Sequence, residues 1–258
     1  MVWWAALPGP DYVVRVKDLY CCAGGATRGY QLAGATAVHG LDKAPRPNYC
    51  GDEFVQGDAL GWLGFWVDMQ VQPPYDLIHA SPPCQEGCTM TNGTNASRGW
   101  GREHVQLVPE TRRLLDLIGL PYVIEQPTGH AGLIRTDLRL CMDMREMQRP
   151  TSPPWVQRHR DFEISGFTVP QPKHVKHQGY VRGMRHGVVR EGPYVAAYGE
   201  GGGKATVGEM QHALGIDWTD VREELTEAIP PAYTRYIGAA FRAQSLTCQG
   251  RLTVDGVR

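Results

Sequence analysis

The stretch "HASPPCQEGC" at residues 79–88 brings a strand-forming run to a stop in two prolines and a thiol, Cys84. A thiol held on a rigid turn at the end of a strand is where a nucleophile is expected, although cysteine is also among the commonest core residues. A carboxyl group has a comparable place in "PYVIEQPTG", where Glu125 follows another apolar run. A thiolate and a carboxyl group together suit addition to an electron-poor carbon, the carboxyl meeting the charge that develops on the attacked molecule. Alone, the thiol has an ordinary reading as packing and the carboxylate as a solvated cap, and only their convergence in the fold would give them chemistry in common.

Convergence requires strands that end on a common rim. The segments "YVVRVKDLY" (12–20), "ATAVHGLD" (35–42), "EFVQGDA" (53–59), "YDLIHA" (75–80) and "PYVIEQPTG" (121–129) read as strands. Helical patterns lie between some of them, in "CCAGGATRGYQLAG" after its glycine turn, in "ALGWLGFWVDM" and in "REHVQLVPETRRLLDLIG". This alternation predicts an α/β fold with a mostly parallel, Rossmann-like sheet covered on both faces. The double proline of "EAIPPAYTRYIGAAF" predicts the start of a last helix that packs back on this domain. Residues 88–103 are polar and too long for an ordinary connection, which predicts a loop that moves over the site.

Composition bounds the class. A chain of 258 residues with 42% hydrophobic content can bury a sizeable core. No run approaches the roughly 18 apolar residues of a membrane span, and "MVWWAALPGP" lacks the charge of a secretory signal and reads as an apolar anchor. A cytoplasmic monomer is expected. Seven irregularly spaced cysteines argue for reduced thiols. The net charge of −1 hides a basic stretch from Arg158 to Arg190, where seven Lys or Arg face Asp161 and Glu163. That stretch predicts a polyanion contact through Lys173, Lys176, Arg182 and Arg185. The organisation read from these features is a cofactor domain at 1–157 and 206–245, a small recognition segment at 158–205 and a tail at 246–258. His79 with Cys84 and Cys88, or His174 with His177, has metal-ligand character, but no second pair at the usual spacing completes a four-ligand set. No metal is expected, and Cys21, Cys22, Cys50, Cys141 and Cys248 read as packing or surface thiols.

In open parallel sheets, ligands bind beyond the carboxyl ends of the strands where strand order reverses. There Gly24 and Gly25 would let backbone approach a ligand, Tyr20 would stack on a base, Asp42 would meet ribose hydroxyls and Asp58 an exocyclic amine. The loop "CCAGGATRG" has no phosphate-binding signature, so a nucleoside cofactor without a phosphate chain fits best, and S-adenosylmethionine is such a molecule.

Six motifs in order make the resemblance specific. "DLYCCAGGATRGYQLAG", "GLDKA" with "GDAL", "SPPCQ", "VIEQPTG", "QRHRDFEISG" and "EAIPPAYTRYIG" are similar to the motifs of cytosine-5 DNA methyltransferases, most of all the small phage-borne ones, and span nearly the whole chain. The resemblance implies methyl transfer from S-adenosylmethionine to carbon 5 of a cytosine flipped out of double-stranded DNA. It implies Cys84 as the nucleophile, Glu125 as the acid that grips the base, and Arg160 with Arg158 as base contacts. Tyr20, Gly24, Gly25, Asp42, Asp58 and Pro82 carry over to the cofactor side, and protection of DNA from a restriction enzyme is the implied role. A tRNA-modifying enzyme and a binding protein without catalysis share the same pattern. The chain departs from the family at three places. Cys22 stands where glycine is usual, Gln126-Pro127 where Asn-Val is usual, and Gln157 one place nearer its arginines. The second departure leaves open whether Gln126 braces the nucleophile turn as the asparagine does.

Overall fold

The computed structural model describes residues 13–83, 107–130, 132–185, 187–198 and 205–254, without the side chains of Arg185 and of 247–254. Cys84, the 88–103 loop and "MVWW" lie outside the described residues. The main sheet comprises β1 (Arg15–Leu19), β2 (Ala37–Asp42), β3 (Glu53–Gln56), β4 (Leu77–Ala80), β5 (Tyr122–Pro127), β6 (Leu138–Cys141) and β8 (His159–Ser165). The spatial order is β3-β2-β1-β4-β5-β8-β6. The first five strands run parallel, and β8 is antiparallel to both its neighbours. Strand order reverses between β1 and β4, as expected from the alternation of strands and helices.

Both faces of the sheet are buried, so its central strands read as nearly continuous apolar runs. Val16, Val38, Leu77 and Val123 point into one core, while Leu19, Leu41, Ile78 and Ile124 point into the other. Helices α2 (Ala59–Met69) and α3 (Leu107–Ile118) cover the second face, through Leu63, Leu114 and Leu115. Helix α1 (Gly25–Leu32) and α6 (Pro231–Val254) cover the first, through Tyr30, Tyr233, Ile237 and Phe241. Helix α6 starts at the second proline, where a missing amide costs nothing, and packs on α1 as expected. It runs on to Val254, so residues 246–254 continue the helix instead of forming a separate tail.

Two smaller pairings stand off the sheet: β7 (Trp155–Val156) with β11 (Tyr194–Val195), and the hairpin of β9 (Gly183–Arg185) and β10 (Val188–Arg190). Helices α4 (Val207–Leu214) and α5 (Arg222–Glu227) bring the chain back. The sheet claims β8, so what departs from it begins after Ser165 and not at 158. The reason is visible in "HRDFEIS". Phe162 and Ile164 enter the first core, while Asp161 and Glu163 are fully buried on the other side with arginine partners. Asp161 takes two bonds from Arg139, at 2.6 and 2.8 Å, and Glu163 two from Arg112, at 2.8 and 2.7 Å. Charge counted along the sequence cannot distinguish such internal pairs from a solvated basic surface.

Helix α1 meets α6 without room for side chains. A Cβ at Gly29 would lie 1.9 Å from Thr234 Oγ1 and 2.2 Å from the Pro231 carbonyl. We expect Gly29→Ala to destabilise the protein by about 2 kcal/mol or more despite alanine's better helix propensity. Gly64→Ala, in α2 with nothing within 4 Å of its added Cβ, should stabilise by about 0.5–1 kcal/mol. Denaturant unfolding of both variants checks the contrast.

Beneath the turn that follows β1, Asp18 is fully buried. Its Oδ2 accepts a 2.6 Å bond from Thr27 Oγ1 of α1, while Oδ1 has no hydrogen-bond partner among the described residues. Burial pushes its carboxyl up to about 7. The folded state therefore holds a proton there that the unfolded chain has released, and this contribution to stability falls as pH rises from about 4 to about 7. Asp18→Asn removes the titration, so the variant should gain on wild type across that window by up to about 4 kcal/mol. Taking variant minus wild type at each pH cancels the other titrating groups, and a difference that does not change with pH would refute the assignment.

Candidate active site

Because the first five strands are parallel, the turns after β1, β2, β3, β4 and β5 all open on one rim. That rim carries Tyr20 to Gly24, Asp42 at the end of β2, Asp58, the Pro82-Pro83 turn, and Glu125 with Gln126 in the last half of β5. This is the gathering expected from the sequence. The described residues reach Pro83 and stop one short of Cys84.

On the catalytic side, register does the positioning. Antiparallel pairing sets Arg160 opposite Pro127 and Phe162 opposite Glu125, which puts the Arg160 and Glu125 side chains on one face as diagonal neighbours. Arg160 Nε lies 2.6 Å from Glu125 Oε1. The N–H is not aimed at that oxygen, so Glu125 Oε1 is ion-paired yet accepts no directed hydrogen bond from the described residues. Glu125 is 5% exposed, and burial raises its carboxyl above the usual range while Arg160 and Arg158 pull it back. Burial thus favours the protonated form of Glu125 more than it would for an exposed carboxyl group.

Gln126, of the next register pair, points to the other face. Its Nε2 donates a 2.7 Å hydrogen bond to the Pro82 carbonyl, with the residue fully buried. The bracing of the turn that asparagine supplies in the resembled family is therefore present here, reached by a side chain one methylene longer.

Arg158 has a different task from the one the motif implies. Its Nη1 donates to the Ala197 carbonyl at 2.6 Å and its Nη2 to the Thr226 carbonyl at 2.7 Å, and it is 4% exposed. With both ends spent on backbone, Arg158 ties the returning chain to the sheet. Tyr233 of α6 donates its hydroxyl to the Arg158 carbonyl, closing the same junction.

The cofactor-side residues lie on the rim, though several are engaged within the protein. Asp42 Oδ2 accepts from the Cys22 amide at 3.0 Å and pairs with Arg46, while Oδ1 accepts from the Ala44 amide. Asp58 caps α2, accepting from Gly61 N at 2.8 Å. The Tyr20 hydroxyl meets Thr111 Oγ1 of α3 at 3.1 Å, which fixes its ring at the mouth of the turn. Gly24, at φ 88°, has a conformation that favours glycine, and as the N-cap of α1 it supplies no capping side chain. No side chain of the N-cap satisfies the first amides of α1. At Gly25 the close approach comes from the chain itself, since a Cβ there would lie 2.3 Å from the Ile229 carbonyl. Asp18, Thr27 and Thr111 support this side of the site and carried no sequence signal beyond a carboxylate inside an apolar run.

On the recognition segment, Lys173 and Lys176 are exposed. Arg182 is bound to Glu209, the N3 residue of the α4 capping box, and so is partly neutralised. Arg185 lies in β9, its side chain outside the description. A cavity of 530 Å³ opens here, lined in part by Gln157, Tyr180, Arg182, Arg190 and Tyr198.

No protein-family model matches the sequence, and no curated protein is similar to it. Solved structures are similar in fold. One is an E. coli protein described as a DNA modification methyltransferase encoded within a prophage. It has a TM-score of 0.53 at 12% identity over 91% of this chain and 99% of that one. The S. pombe Dnmt2 methyltransferase gives 0.54 at 13% identity, over 90% of this chain and 99% of that one. The Entamoeba histolytica methyltransferase EhMeth gives 0.52 at 10% identity, over 92% and 99%. No helix of the described residues is long and apolar enough to cross a membrane. In strand order, in the reversal between β1 and β4 and in these likenesses, the chain has a methyltransferase fold, the one that the motifs resembling cytosine-5 enzymes led us to expect.

Proposed function

We propose that this protein transfers a methyl group from S-adenosylmethionine to carbon 5 of cytosine in double-stranded DNA through a covalent bond between Cys84 and the base. The observation that carries the proposal is Glu125. It is buried, raised in pKa and paired with Arg160 through an oxygen that accepts no directed hydrogen bond from the described residues, on the same rim as the Pro82-Pro83 turn that Gln126 braces. The uncapped start of α1, the Tyr20 ring and the carboxylates of Asp42 and Asp58 fit a nucleoside cofactor whose charged end has no phosphates. S-adenosylmethionine, when bound, supplies the methyl group.

Carbon 5 of a pyrimidine is too weak a nucleophile to accept a methyl group unaided. The Cys84 thiolate adds to carbon 6, and the electron pair of the ring double bond moves toward carbon 5 as Glu125 passes its proton to N3. Arg160 holds Glu125 in place and balances the carboxylate that remains. After transfer, a solvent water takes the carbon-5 proton, the thiolate departs from carbon 6 and N3 returns its proton to Glu125, which restores the ring and frees both Cys84 and the acid. Lys173, Lys176 and the cavity beside Gln157 and Arg190 suit phosphate and base contacts. The likeness to a prophage protein described as a DNA modification enzyme favours DNA over RNA.

The test is incubation with S-adenosylmethionine and a random-sequence duplex carrying 5-fluorocytosine, followed by denaturing electrophoresis and peptide mapping. The fluorine blocks the final loss from carbon 5, so an adduct at Cys84 is expected. Cys84→Ser should give none while binding the cofactor within a few fold of wild type. Gln126→Ala should slow trapping by about ten- to a hundredfold with cofactor affinity retained, because the turn loses its brace. Measurable DNA binding without any adduct would overturn the catalytic reading.

A further inference from the structure

The structure gathers four ligand-type side chains apart from those of the candidate active site. Cys141 closes β6 and His159 opens β8, and the two are register partners, so antiparallel pairing aims both side chains at the same face. His174 and His177, from the segment that leaves the sheet, cover them. The ligand atoms of all four lie within 4.8 Å of one another. Cys141 Sγ is 3.9 Å from His177 Nε2, and His159 Nε2 is 3.0 Å from His174 Nε2. Zinc bonds of about 2.0–2.1 Å to nitrogen and 2.3 Å to sulfur in a tetrahedron place ligand atoms about 3.3–3.6 Å apart. Small side-chain rotations would therefore bring the set to that spacing.

Outside the four, Asp143 accepts a hydrogen bond from His177 Nδ1. This fixes the tautomer whose Nε2 lone pair faces the cluster, the usual carboxylate support of a metal-bound histidine. Asp143 also accepts from the Tyr194 hydroxyl at 2.7 Å and pairs with Arg149, which balances the nearby guanidinium. A hydrogen-bonded cluster would not require three imidazoles and a thiol to converge. A metal centre does.

We propose that Cys141, His159, His174 and His177 bind one zinc ion, with the Cys141 thiol releasing its proton to solvent as the bond forms. Four protein ligands make a closed, structural site. Its place defines its work: it fastens residues 171–180 to the sheet edge beside Arg160, setting the recognition segment against the rim. The proposal stands apart from the methyl-transfer reading, because metal content is measured without turnover.

Full-length protein purified without chelator should carry about one zinc per chain by mass spectrometry of the metal. Cobalt exchanged into the site should show a thiolate charge-transfer band and tetrahedral visible bands. Cys141→Ser should remove the charge-transfer band. His174→Ala changes an exposed residue, so its fold is safe, and with His177→Ala it should lower retained zinc at least tenfold. Asp143→Asn should weaken zinc about ten- to a hundredfold. Wild type that holds no zinc and shows no thermal shift on adding zinc or cobalt would overturn the assignment, as would full retention in the double histidine variant.

Discussion

Strand β8 is the constraint on which the rest depends. A parallel sheet that ended at β5 would leave Glu125 on an edge with nothing beside it. Inserting one antiparallel strand between β5 and β6 places five consecutive residues in five different jobs. His159 faces Cys141, Arg160 meets Glu125, Asp161 binds Arg139 and His130, Phe162 fills the core and Glu163 binds Arg112. The two-residue period of a strand sorts these contacts between two faces, and a slip of one position would exchange them all. The register is thus fixed by buried charge on one face and aromatic packing on the other.

Such an arrangement has a cost that the structure offsets locally. Asp161 and Glu163 are fully buried carboxylates, and each has a two-pronged guanidinium partner and a further donor. Removing one partner from such a pair typically costs about 3–5 kcal/mol, more than exposed pairs such as Glu110 with Arg113 supply. Glu125 is treated differently. It has an ion pair without a directed hydrogen bond, at the site where a substrate would complete the set. Gln126 Oε1, His130 Nδ1 and Arg158 Nε beside it likewise lack hydrogen-bond partners among the described residues, so unsatisfied buried polar groups cluster at this end of β5 and β8, which calls for an explanation such as a ligand.

Much of this was legible in the sequence, for identifiable reasons. Strands of buried β-branched residues, glycine and proline punctuation and motif order all depend on local pattern, and the sheet, its reversal and the helix at Pro231 followed. What depended on partners distant in sequence was not legible. Arg158 and Arg160 look alike in "RHR", yet one is spent on the carbonyls of Ala197 and Thr226 and the other on Glu125. Arg182 counts as free charge until Glu209 is seen beside it. His174 and His177 lacked a second pair because their companions come from two strands, and no spacing rule spans that gap. Gln126 appeared as a departure because type is readable from sequence and reach is not.

The turn after β1 shows why a departure can be tolerated. Tyr20 at φ 60° and Cys22 at φ 48° both have left-handed backbone, a conformation that costs a non-glycine residue about 1–2 kcal/mol. Glycine at position 22, usual in the resembled family, would avoid that cost. The cysteine is held by its own amide, which donates to Asp42, while the Tyr20 amide donates to the Leu41 carbonyl and its hydroxyl meets Thr111. Strain held by contacts from two neighbouring elements makes the turn rigid, since relaxing either residue breaks bonds to β2 or α3. A rigid turn fixes where the chain enters α1. In this way Asp42, expected from the sequence to meet a ribose, also holds the backbone against which that ribose would rest.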